Sequence, residues 1–233
     1  KSRAYLGSHR LAEFRNNAPL FRKRELGLIP DEDRPAFLLG RAAHTYILEG
    51  QVAYEATYAI GGPVNPSTGA PFGTRTRAFQ AWAEAKGKPV LSHDQALQIE
   101  AMQASVLAHP VAAELLEEGV AEGVVRTELS GVPCQGRFDW LSGTQGLVDL
   151  KTCESLDWLE ADARNYGYTY QLAFYRALLA KVAGTLFPVH LIAVEKREPY
   201  RCGVWRLTNE LLAAADRENE AALVRLKRCR ETD

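Results

Sequence analysis

Two short stretches of this 233-residue chain place charged side chains among apolar ones. Gly136-Arg137-Phe138-Asp139-Trp140 is followed by Val148-Asp149-Leu150-Lys151-Thr152. Asp149 and Lys151 are two apart, so on a strand their side chains share a face. If the chain folds back near Thr144, Asp139 and Asp149 lie roughly opposite one another. Facing carboxylates repel unless something positive sits between them. A hard divalent cation is the natural solution, because Mg²⁺ prefers carboxylate and water oxygens. By itself, Asp-x-Lys on a strand is the pattern of a surface ion pair. Here Leu147, Val148 and Leu150 surround the charges, and a charged pair on a largely buried strand needs a reason.

Two further groups could join them. His44 follows Gly40 by one helical turn, and a glycine there lets another backbone or a ligand come close. Gln171 and Tyr175 are four apart and project from one helix face. Taken singly, these read as a core histidine, tight helix packing and ordinary amphipathic packing.

The elements that must position these residues follow from periodicity and punctuation. Ser8–Asn16 reads as a helix with Leu11 and Phe14 on one face, broken at Asn17 to Pro19. Leu20–Leu26 forms a second helix, closed by Gly27. Asp31-Glu32-Asp33 before Pro35 suits a helix start. From Pro35 to Glu49 the period is helical, with Phe37, Gly40, Arg41, His44, Ile47 and Leu48 on one face and Gly50 as the stop. Gly61–Gly73 is a long loop. Thr74 caps a helix ending near Gly87. Ser92 with Gln95 is a capping box for a helix reaching about His109. Pro110 opens another that ends at Gly119. Three strands follow: Val124–Leu129, Val132–Leu141 and Leu147–Cys153, the first two joined by Ser130-Gly131. Helices are expected over Ser155 to Asn165 and Tyr168 to Ala183. Strands are expected over Val189–Glu195 and Arg201–Leu207, with Thr208 capping a last helix. The order predicts an α/β fold: a central mixed β-sheet flanked by helices, with a helical N-terminal section. One domain over 1–233 is expected, with 1–120 mostly helical and carrying His44, and 121–233 forming the sheet core.

Composition narrows the classes. Hydrophobic residues make up 46% of the chain, too many for a disordered protein. No run approaches the roughly 18 apolar residues of a membrane helix. Lys1–Arg10 is polar, so no secretory signal is expected, and a chain opening on Lys1 reads as an excised domain. Cys134, Cys153, Cys202 and Cys229 form no C-x-x-C pair, which argues against a zinc ribbon or an iron–sulfur cluster and fits reduced thiols in the cytosol. The net charge of −1 does not mark a nucleic-acid binder, but basic patches matter more than totals.

In order, the chain carries Gly-x-x-x-His, then Asp, then Asp-x-Lys, then Gln-x-x-x-Tyr. This resembles the RecB-like branch of the PD-(D/E)xK nuclease superfamily. The likeness extends to Ser8–Pro19, Gly40-Arg41-Ala42-Ala43-His44 with Leu48-Glu49, Tyr166-Gly167-Tyr168, and Val194-Glu195-Lys196 with Pro199-Tyr200. Those blocks look like RecE-type exonucleases, the nuclease domain of exodeoxyribonuclease VIII. The resemblance implies that Asp139, Asp149, the Leu150 main-chain carbonyl and His44 hold Mg²⁺, with Mn²⁺ as a substitute. It implies that Lys151 orients the attacking water and that Gln171 and Tyr175 border the site and touch DNA or water. Glu128 either supports a second metal or is a strand-edge charge. Arg137 either contacts a phosphate or pairs with a neighbouring acid. Where relatives often carry another basic residue, this chain has Gln135-Gly136.

The implied activity is 5′→3′ digestion of one strand from double-stranded DNA ends, leaving a 3′ tail for annealing. A homo-oligomeric ring of three or four subunits, a RecT-like annealing partner and a bacterial or phage-infected cytoplasm come with it. Two rivals stand beside this reading. One is another nuclease of the superfamily, an endonuclease or CRISPR-associated enzyme. The other is a DNA-binding scaffold with a dead site, against which the presence of His44, Asp139, Asp149 and Lys151 argues.

Overall fold

The structure, a computed structural model, describes residues 5–30 and 37–232. The expected helix start at Asp31 to Pro35 lies outside the described residues. Helix α1 (Ser8–Asn16) buries Leu11 and Phe14, the two positions its period singles out. Asn17 then caps α2 (Ala18–Glu25), its Oδ1 accepting from the Leu20 N–H at 3.0 Å. The expected break is thus one residue wide, because Pro19 is tolerated in a first helical turn.

Helix α3 (Phe37–His44) runs into a π-helical turn, Thr45–Glu49. Gly50, expected to stop it, instead opens α4 (Gly50–Thr57) with φ 84°. The fully buried positions of α3 are Ala42 and Ala43, while Arg41 is exposed. His44 and Gly40 are left at the sheet rather than in a core stripe. A small parallel pair that the sequence reading did not foresee, β1 (Ala59–Ile60) with β2 (Val90–Leu91), brackets the long loop and α5 (Arg77–Lys86). Thr76 rather than Thr74 caps α5. The capping box forms as read, opening α6 (His93–Ala108), and α7 (Pro110–Leu115) follows.

Five strands make one mixed sheet in the order β3 (Val120–Leu129), β4 (Val132–Ser142), β5 (Gly146–Cys153), β6 (Val189–Glu195), β7 (Cys202–Arg206). All neighbours are antiparallel except β5 and β6. That parallel pair is joined by the crossover through a 3₁₀ turn, α8 (Leu159–Tyr166) and α9 (Tyr168–Ala183). The chain closes on α10 (Asn209–Thr232), with the Thr208 hydroxyl accepting from the Leu211 N–H. Both faces of the sheet are covered. α1, α9 and α10 pack on Val132, Phe138 and Leu147; α3, α6 and α7 pack on Val148, Leu150, Ile192 and Val194. The α/β expectation holds, with helices on both faces of a mixed sheet. Among the described residues no helix is long and apolar enough to cross a membrane.

Candidate active site

The hairpin between β4 and β5 closes with Ser142 opposite Gly146, so Asp139 and Asp149 fall on the rung just past Trp140 and Val148. The ladder stops there. The Asp139 carboxylate takes over as acceptor, its Oδ2 receiving the Leu150 N–H at 2.8 Å. Strand β4 also turns over at this point. Phe138 packs into one core and Trp140 into the other, although positions two apart on a regular strand share a face. Asp139 therefore stands edge-on between the layers. From there it reaches both β5 and α3, with His44 Nδ1 3.5 Å from Oδ2. Gly40 of α3 faces Thr152 of β5, where a Cβ would meet Oγ1 at 3.4 Å, about van der Waals contact.

By parity Asp149 and Lys151 share the face of Leu147, towards α9. Asp149 is 1% exposed. Neither of its carboxylate oxygens has a hydrogen bond of ordinary geometry, and its charge is answered by the Lys151 ammonium drawn against Oδ2. Burial pushes the Asp149 carboxyl up to about 6, against the pull of Lys151. Burial opposes the charge on Lys151, yet Asp149 and Asp139 outweigh it and raise its pKa. Burial raises Asp139 as well. His44 is driven down to about 4, by burial first and by the charge of Lys151 second, and is neutral at pH 7.

On α9 the amide of Gln171 donates to the Tyr175 hydroxyl at 3.0 Å, which also lies 3.4 Å from Ser8 Oγ. Tyr175 is buried beside the ring of Phe138 and feels the charges of Asp149 and Lys151. Arg137 is exposed and pairs with Glu122 at 2.7 Å.

The fold therefore brings His44, Asp139, Asp149 and Lys151 together, with Leu150 between the two charges on β5 and Gln171 and Tyr175 alongside. It does not bring Glu128. That residue sits opposite Pro133, six positions along β3 from Glu122, or roughly 20 Å. The acid on the rung opposite Asp139 is Glu122, at positive φ, with its carboxyl raised by burial and by the nearby Asp139 and Glu49. Running the Ser130-Gly131 hairpin register further back would have found it; starting the strand at Val124 cut it off. His9 was also missed. It sits on α1, and its imidazole is depressed by burial and by Lys151.

Among the described residues no three His, Cys, Asp or Glu side chains form a ready-made metal cage. The donor chemistry nevertheless suits a hard divalent cation: two carboxylates, one with a buried Oδ1 that has no partner, a main-chain carbonyl and a neutral imidazole.

The family described as a PDDEXK-like domain of unknown function (DUF3799) matches residues 12–233. A structure from Eubacterium rectale, described as a candidate exonuclease, is 16% identical and superposes with a TM-score of 0.70 over 97% of this chain and 80% of its own. At that identity the likeness is one of fold. An alkaline exonuclease from Laribacter hongkongensis is 18% identical over 69% of this chain and 85% of its own, with a TM-score of 0.34, too loose to argue from. No curated protein matches the chain.

Proposed function

The chain belongs to the DUF3799 family of PDDEXK-like domains, and on that premise we propose that it is a Mg²⁺-dependent exodeoxyribonuclease. It degrades one strand of double-stranded DNA from the ends, 5′→3′, and leaves a 3′ single-stranded tail. The observation that carries this reading is the meeting of His44, Asp139, Asp149 and Lys151 around a buried carboxylate without ordinary hydrogen bonds. A phosphodiester is an anion and repels a hydroxide-like nucleophile.

Asp139, Asp149, the Leu150 carbonyl and His44 would hold Mg²⁺, or Mn²⁺ in its place. When bound, such an ion neutralises the phosphate and lowers the pKa of water. The residues themselves do the rest. His44, neutral, offers a lone pair instead of a competing charge. The Leu150 N–H fixes Asp139 Oδ2. Lys151 stays protonated and places a cation where negative charge grows on the phosphate, as well as orienting the attacking water. Gln171 holds Tyr175 at the edge of the site, where both can meet the DNA. Arg137, exposed on β4, can exchange Glu122 for a phosphate.

The reading treats 1–233 as one nuclease domain, supported by an imidazole from the helical section meeting acids of the sheet. A ring of three or four subunits, a RecT-like annealing partner and a cytoplasmic setting in a bacterial or phage-infected cell complete it.

A duplex labelled at one 5′ end tests the activity. Prompt release of the label as mononucleotide in Mg²⁺ is expected, with closed circular DNA left intact. Cuts inside the circle would favour the endonuclease reading.

A further inference from the structure

Beside the catalytic cluster lies a groove of about 820 Å³, walled by α1 on one side and by β3 and β4 on the other. It is within the size range of ligand pockets and has room for a short stretch of one strand. Its lining contains five arginines, Arg10, Arg24, Arg126, Arg137 and Arg230, against one acid, Glu25. In a chain of net charge −1 this is a marked local excess of cations. Four of the five are already engaged: Arg10 and Arg24 with Glu13, Arg137 with Glu122, Arg230 with Glu25. Arg24 keeps a buried Nε without a partner. Arg126 is exposed and differs from the rest. Its guanidinium lies 5.2 Å from the Tyr5 ring centre and 3.4 Å from Gln135 Oε1, with no carboxylate partner among the described residues.

The register ties this groove to the site. Arg126 lies directly across from Gln135, and Arg137 and Asp139 follow at two-residue steps along β4. Arg126 and Arg137 are thus diagonal neighbours on one face, roughly 7–8 Å apart. That spacing is comparable with one nucleotide step along an extended strand. A scissile phosphate set against the Lys151 ammonium beside Asp139 would put the next two over Arg137 and Arg126. A guanidinium set beside a partly exposed aromatic face, here Arg126 by Tyr5, is what a single nucleic-acid strand needs from a groove.

We propose that this groove carries the backbone of an unpaired DNA strand continuous with the strand being cut, with Arg126 and Arg137 as successive phosphate contacts. The proposal rests on the nuclease reading above, because that reading places a phosphodiester at the cluster.

The test uses a labelled 12-nucleotide single strand, with binding followed by fluorescence anisotropy in EDTA so that nothing is cut. Arg126→Ala should weaken binding about tenfold and Arg126→Glu further, and Arg126→Ala should lower the salt slope by about 0.7. A dinucleotide, too short to reach Arg126, should bind all variants alike. Hydrolysis of bis(p-nitrophenyl) phosphate in Mn²⁺ should stay at the wild-type rate in both variants, which also shows that they fold. If Arg126→Glu binds the 12-mer as wild type does, with an unchanged salt slope, the strand does not run here. Loss of binding to a polyglutamate peptide instead would make the groove a protein-docking site and overturn the proposal. Failure of the wild-type chain to hydrolyse the small diester with any divalent ion would strike the nuclease reading, while the binding result would still judge the groove.

Discussion

Asp149 and Lys151 illustrate how burial sets chemistry at single residues. A buried carboxylate beside a buried ammonium is costly to desolvate, and removing one partner strands the other. Here the pair is kept next to a second acid and a neutral imidazole, which suits a site that meets a cation and an anion in turn. Replacing Lys151 by Ala should lower DNA cleavage by a factor on the order of 10²–10³ while duplex binding survives. The same variant should still show a rise in melting temperature with millimolar Mg²⁺, because its ligands remain. Asp139→Ala and Asp149→Ala should lose both cleavage and the Mg²⁺-dependent rise. An Asp149→Ala protein that digests DNA at the wild-type rate would remove the site assignment.

At the scale of elements, the site depends on how closely helices approach the sheet. Gly136 on β4 faces α9: a Cβ there would come to 2.9 Å from Leu178 Cδ1 and 3.0 Å from Tyr175 Cδ1. Gly136→Val should therefore destabilise the protein by about 1–3 kcal/mol through overpacking, measured by urea unfolding. It should also reduce cleavage, since the displaced Tyr175 hydroxyl is what Gln171 holds. Ser92→Ala makes the contrasting case. It opens the α6 capping box, far from the acids in sequence, and should cost about 0.5–2 kcal/mol with cleavage unchanged in the folded protein. The Ser92 capping box, the Thr208 cap and the hairpin register were legible in the sequence because they are local. The π-helical turn after His44 was not, since the sequence pattern fits a continuous α-helix equally well. On α3, Ala42 and Ala43, not the expected Arg41, face the core.

Across the whole molecule, a polar clasp ties the C-terminal end of β6 to β7 and to the start of the crossover. Glu195 is buried, accepts from the Leu156 N–H at 2.8 Å and pairs with Arg201, which also holds Asp157. The hydrogen bond from Arg201 is the main reason its carboxyl is pulled down to about 2. A carboxyl depressed in the folded state stabilises that state above its unfolded pKa and loses the contribution as pH falls towards its folded one. Glu195→Gln should thus lower the melting temperature at pH 7, with the gap to wild type narrowing between about pH 4.5 and pH 2. A gap that stays constant across that range would assign the clasp to packing rather than charge. The sequence by itself determined the order of the five strands of the main sheet and the helical crossover between them, the alternation that puts Asp149 and Lys151 on one face, and the register that sets Asp139 across from them. Those are consequences of local period and turn length. Only the tertiary structure decided that β4 rolls over at Asp139 to reach His44, and that five arginines spread from residue 10 to residue 230 line one groove. Such meetings depend on strand twist and helix rotation summed over the whole sheet, which no single stretch of sequence carries.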